Sequence, residues 1–196
     1  MFNRLMNWLV PKLEAWCHKT GRVLIISGAP SGKDVPYLVR CFLFRSWLFS
    51  IYIHRFMRSD KDDMHDHPFG FLSYVVKGSY QEDRMFGRTL GMLMGVAFRY
   101  KVRFKTSQRR QGSWAFRPAS TTHLVKIDRS YDLSEIEKAP LTLVFRGPYT
   151  REWGFWKLMQ WSGGFGDSYV EFEAGDVYQW IKWNEYLGVP DADVRE

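Results

Sequence analysis

The chain has 196 residues, 45% of them hydrophobic and 17% aromatic, enough to bury a full core as one domain without disulfide support. A formal net charge of +7 and a sequence pI of about 9.4 favour anionic partners at long range, leaving nucleic acid, phosphorylated metabolites and membrane surfaces open. Two cysteines, Cys17 and Cys41, exclude a disulfide framework and point to a reducing, cytoplasmic setting; no apolar run reaches spanning length and no signal-peptide pattern opens the chain.

Phe2, Leu5, Met6, Leu9, Leu13, Trp16 and Cys17 recur at helical spacing, which predicts an amphipathic helix over residues 2–19, divided at Pro11. Such a helix either docks on the rest of the domain or, being basic, serves a membrane surface or a dimer contact. Residues 22–27 read as a strand that runs into Gly28-Ala-Pro-Ser-Gly32-Lys33-Asp34. This is not a phosphate-binding loop: the glycines are one residue too close and Asp34 stands where Ser or Thr would ligate magnesium, so an ordinary turn is expected. From Tyr37 to Phe56 aromatic and β-branched residues predict two strands, with His54 in the second as a core histidine, a substrate contact or a proton carrier. Arg58 to Asp63 then reads as a solvated charged loop.

His65-Asp66-His67-Pro68 follows. Histidines one residue apart on a strand share a face, and His123, after a Pro118 turn, supplies a third imidazole if a hairpin-rich domain brings it near. Three neutral imidazoles suit iron, zinc, nickel or copper rather than magnesium or calcium. By alternation Asp66 faces away, able to orient an imidazole, while Phe69, Phe71, Ser73 and Val75 share the parity of the histidines and predict a largely apolar wall. Beyond a Gly78 turn, Glu82 is either a surface residue, a fourth ligand or an acid/base group raised by burial.

Arg99-Tyr-Lys-Val-Arg-Phe-Lys105 alternates basic and apolar residues, a half-buried strand whose cationic row either meets the acidic row at Glu171 and Glu173 or follows a nucleic-acid backbone. Arg109 and Arg110 fall in the next turn. Residues 124–127 and 141–146 read as strands, and Asp128 to Lys138 as a charged excursion with a helical turn. Arg146, Arg151 and Glu152, set among aromatic residues, are candidate substrate contacts, since an arginine beside a metal anchors carboxylate or phosphate. Ser162 to Gly166 is a glycine-rich turn, and Val177 to Leu187 reads as a Trp-rich helix.

The ordered set of Ser59, His65, His67, Gly78, Gly112, Pro118 and His123 resembles the two motifs of the cupin superfamily, with Ser59 in the place of the first glycine. The glutamate of the first motif falls on Phe71, so the resemblance is to the three-histidine branch that holds cysteine dioxygenase-like cupins. The wording from Tyr52 to Glu82 and from Arg146 to Trp156 is also similar to small bacterial and phage cupin-like proteins. The resemblance implies an all-β double-stranded β-helix, a jelly-roll barrel over 37–160; the helices read from the sequence at 1–20 and 177–187 complete a single 1–196 domain at its periphery. It also implies a metal on His65, His67 and His123, Fe(II) first, and a dioxygenase acting on a small anionic molecule; from the residues themselves, His54 and Glu82 are the candidates to carry protons. The alternative is a non-catalytic cupin that binds a nucleotide or sugar phosphate. A homodimer is expected from resemblance alone.

Overall fold

The computed structural model describes residues 1–26, 36–60, 63–91, 99–159 and 177–187. The turn at Gly28 to Asp34, the acidic row at Glu171 and Glu173 and the turn at Ser162 to Gly166 lie outside them. In chain order the elements are helix α1 (Phe2–Lys19), strands β1 (Val23–Ile26), β2 (Leu38–Arg45), β3 (Ser50–Phe56), β4 (Met64–His65), β5 (Phe71–Lys77), β6 (Ser79–Gly91) and β7 (Arg99–Arg110). There follow β8 (Trp114–Arg117), β9 (His123–Lys126), a 3-10 turn at Leu133–Lys138, β10 (Leu141–Arg146), β11 (Gly154–Met159), β12 (Val177–Lys182) and helix α2 (Trp183–Leu187).

The strands form two six-stranded antiparallel sheets, ordered β1-β2-β3-β10-β5-β8 and β12-β11-β4-β9-β6-β7. From β3 to β10 the chain changes sheet at every step except the β6–β7 hairpin, which places β3-β10-β5-β8 opposite β4-β9-β6-β7. That exchange is the jelly-roll signature, and the fold is the all-β cupin-type double-stranded β-helix. The β5–β6 turn depends on Gly78, whose φ of 76° suits glycine and whose missing side chain clears the Pro140 backbone.

Alternation sorts each strand into two cores. Outward residues of the first sheet, including Cys41, Ile53, Tyr74, Val76, Leu141 and Leu143, pack under Met6, Val10 and Cys17 of α1. Inward residues Leu38, Phe56, Val75, Tyr80, Val125 and Ile127 fill one end of the space between the sheets. Burial of a side chain of this size contributes about 1.5–3 kcal/mol, so α1 is part of the folded unit. Its buried Glu14 makes a bidentate ion pair with Arg55 of β3 at 2.7 Å, and Arg55 also donates to the Ala139 carbonyl at 2.8 Å.

Several expectations are corrected. Helix α1 is continuous through Pro11 rather than divided, because contacts before and after the proline hold it to the sheet and Asn7, whose carbonyl loses its i+4 donor, lies in solvent. Residues 177–182 are strand, not helix, and only Trp183–Leu187 is helical; β11 pairs with β12 along its whole length, so ladder bonds override the helical reading. Arg109 and Arg110 end β7 rather than lying in a turn.

The Arg58 to Asp63 connection is not merely solvated, for Arg58 is buried and Ser59 Oγ accepts from the Ile127 amide at 2.9 Å. Asp60 in turn pairs with Val125 through both its amide and its carboxylate. Those side chains stand in for strand pairing and deliver the chain to β4.

Truncating Glu14→Ala leaves the Arg55 guanidinium buried without its counter-charge and is expected to cost about 3–5 kcal/mol in urea denaturation. The Glu14→Met/Arg55→Met double variant, free of buried charge, is expected to recover most of that loss.

Candidate metal centre

His65 ends β4 and lies directly opposite His123 of β9 in the antiparallel register. His67 is beyond the strand, so strand alternation does not place it; its amide donates to the Ala119 carbonyl at 3.4 Å, and the Thr150 amide bonds the adjacent Pro68 carbonyl. The three rings nevertheless converge, with every pair of centroids 5.1 Å apart. One nitrogen from each ring lies within 4.8 Å of the others, and the Nε2 atoms of His67 and His123 are 2.8 Å apart. Two imidazole nitrogens sharing one ion at ~2.1 Å and near-right angles sit ~3 Å apart, so the ring positions fit a divalent transition metal. His65 and His67 are half-buried and His123 is buried.

Glu82 is neither a surface residue nor a raised acid. It projects from β6 into the space between the sheets and forms a bidentate ion pair with Arg117 of β8, while its Oε1 lies 2.9 Å from His123 Nδ1. Burial pushes its carboxyl up, but hydrogen bonds from Arg117 and His123 outweigh that and hold it at about 2. It is therefore an ionised acceptor, not a general acid. Assigning the shared proton to His123 Nδ1 leaves its Nε2 lone pair aimed at the other two rings. His65 is held by a hydrogen bond with the Asp63 backbone. Arg117 escapes notice in the sequence, where it is one more basic residue in a basic chain; only the register of β8 with β5, Arg117 opposite Phe71, sets it beside the site.

Phe71 packs at a steep angle to His67 at 5.1 Å and tilted to His123 at 5.9 Å, and Phe69 stacks on His67 at 5.7 Å. Arg146 ends β10 opposite Phe71 and Ser50, and its guanidinium lies over Phe69 and Tyr149 at 5.1 and 4.5 Å. It is buried, donates to the Gly147 carbonyl, leaves Nε unpaired, and has no carboxylate partner among the described residues. Ser50 and Thr142, on the same face by register, also hold buried hydroxyls without partners among the described residues.

His54, from β3, accepts from Arg40 Nε at 3.1 Å and stacks on Tyr52. Arg151 instead bonds Asp66 and the Ala119 carbonyl, both at 3.1 Å, and the largely exposed Glu152 pairs with Lys182. Asp66 itself is fully buried, accepting from the Gly154 amide at 2.9 Å and Trp180 Nε1 at 3.2 Å, so it anchors the motif to β11 and β12 instead of touching an imidazole.

No protein-family model matches the chain, and no curated protein matches it. Among solved structures it is similar to Fe(II) HppE at 11% identity, over 64% of this chain and 57% of that one, with a TM-score of 0.42. The DMSP lyase DddQ from Ruegeria pomeroyi DSS-3 aligns at 18% identity over 63% and 54%, with a TM-score of 0.41. KdgF from Halomonas sp. aligns at 15% identity over 59% and 84%, with a TM-score of 0.37. The chain thus spans little more than half the length of the first two. These likenesses are distant, and no residue's role is carried over from them.

Burial lowers the His67 imidazole well below its ordinary value, with His123 and His65 adding to it. Burial and then the Arg40 charge do the same to His54. Burial also lowers His65, against the pull of Asp60. Imidazoles that stay neutral when folded but charge when unfolded make the unfolded chain bind more protons below about pH 6.5, so stability falls as pH falls. Melting of the metal-free protein is expected to drop from pH 7.5 to 5.5, with a shallower slope in His54→Gln. Separately, Glu82→Gln is expected to weaken metal binding about 10–100-fold in a chelator competition titration.

Proposed function

We propose that the chain is a metal-dependent cupin that holds Fe(II) on His65, His67 and His123 and oxidises a small anionic molecule with dioxygen. The observation that carries this reading is the convergence of three imidazoles with no carboxylate among them. Glu82 is neutralised by Arg117, and Phe71 fills the place of an acidic ligand, so a bound dication keeps its full charge in a half-apolar setting. Such an ion supplies redox chemistry and open positions for a substrate atom and dioxygen.

The residues of the chain select and hold the substrate. Arg146 offers a guanidinium held by aromatic faces and lacking a carboxylate among the described residues, and Ser50 and Thr142 add hydroxyl donors along the same inner face. Phe69 and Phe71 keep water from the side of His67 that they cover. The carboxylates near the histidines are engaged: Glu82 by Arg117, Asp66 by Gly154, Trp180 and Arg151, Asp60 by the Val125 amide. His54 presents its lone pair to Arg40. A wall rich in donors and poor in free bases supports oxidation at a metal over proton abstraction by the protein.

Elemental analysis of untagged protein is expected to find near-stoichiometric iron, lost in His65→Ala/His67→Ala. The iron-loaded protein is then expected to consume oxygen with small thiols or other small acids, and Arg146→Gln to raise KM at least tenfold with kcat changed less. Stoichiometric zinc or nickel without oxygen uptake would overturn the oxygenase reading and keep the site. Loss of small-anion binding only on Arg146→Gln, with no metal in either protein, would leave a non-catalytic binding cupin.

A further inference from the structure

The outward side of α1 is apolar where a surface helix is normally polar. Met6, Val10, Glu14 and Cys17 face the sheet, yet Leu5, Trp8 and Trp16 stand on the opposite side with Lys12 and Lys19 at the same helical spacing. Lys12 folds its ammonium over the Trp8 ring at 3.8 Å, covering apolar surface with its stem. The pattern continues off the helix: Arg22 lies over Trp16 and bonds the Phe42 and Leu43 carbonyls near the end of β2. That strand leads to the hairpin tip, where Phe44 stacks on Phe49 around Trp47, which is 80% exposed, and Leu48.

Ten of the fifteen large apolar side chains that stand in solvent among the described residues belong to the first 49 positions. The charge there is one-sided. Residues 1–60 carry nine Lys or Arg against Glu14, Asp34 and Asp60. Glu14 is buried on Arg55, Asp60 is bonded to Val125 and Asp34 lies outside the described residues, whereas Arg4, Lys12, Lys19, Arg22 and Arg45 are exposed.

We propose that this face, the outer side of α1 together with the β2–β3 tip, docks the protein on an anionic lipid surface. Exposed Trp and Leu interleaved with Lys and Arg match both layers of such a surface, acyl chains for the apolar groups and headgroup phosphates for the cations. A second copy of the chain would set Lys12, Lys19, Arg22 and Arg45 against their own kind in a two-fold interface. Nucleic acid would take the cations and aromatic faces but leave Leu5, Ile25 and Leu48 in water. Attachment is peripheral, because among the described residues no helix is long and apolar enough to cross a membrane.

The test is flotation of the full chain with vesicles of equimolar phosphatidylglycerol and phosphatidylcholine, beside pure phosphatidylcholine, at physiological salt. The expected result is flotation with the anionic vesicles alone, with tryptophan emission quenched by brominated lipid. Trp47→Ser/Leu48→Ser/Phe49→Ser and, separately, Leu5→Glu/Trp8→Glu are expected to cut the bound fraction at least tenfold while a cooperative melt and the metal content are retained; these side chains stand largely outside the two cores. Equal flotation with neutral vesicles, or none with either, overturns the proposal. So does a dimer in sedimentation velocity that the same variants dissolve, or retention on single-stranded DNA, when flotation is absent.

Discussion

A single carboxylate, Glu82, is shared between the two sheets and the three converging histidines. Its ion pair with Arg117 reaches from β6 to β8 across the interior, and its remaining hydrogen bond turns His123 toward the other imidazoles. Taking both charges out of water costs several kcal/mol per ion, which only close, fully bonded geometry offsets. The cost is what makes the arrangement specific: a shift of either sheet strands a buried charge, so strand register and ligand orientation are fixed together.

Glu82 sits behind His123 and outside the cluster of three imidazoles, and that placement sets the electrostatics there. Phe71 packs against His67 on the side facing the imidazoles, and the charge of Glu82 is cancelled by Arg117. Positive charge is thereby left for an incoming molecule to balance. Arg146, buried between aromatic faces, acts in the same direction. Both features underlie the proposed recognition of an anion.

The three converging histidines are legible in the sequence through their spacing and turn residues, which act locally, and the jelly roll through the family resemblance that those motifs carry. His65, His67 and His123 come together as their motif implies, although His67 is placed by loop hydrogen bonds where strand alternation had been expected to place it. The state of Glu82 is not legible, since it depends on Arg117, which is 35 residues away and meets it only through sheet pairing. Arg151 and Glu152 look like site residues for the same reason in reverse: their partners, Asp66 and Lys182, lie far off in the chain. The β12 strand is misread as helix because its Trp-rich run has no period that outweighs the pairing offered by β11.

The residue between the two motif histidines carries a structural consequence of its own. Asp66 turns its back on the imidazoles and grips the Gly154 amide and the Trp180 indole, while a side chain added at Gly154 would collide with the Ile181 carbonyl. Strands β11 and β12 are therefore a clasp fastened through the middle of the motif. The mechanical boundary of the centre lies at Trp180, so a change in the outermost strand should be felt as a loosened grip on the ligand loop, well away from any atom that touches substrate.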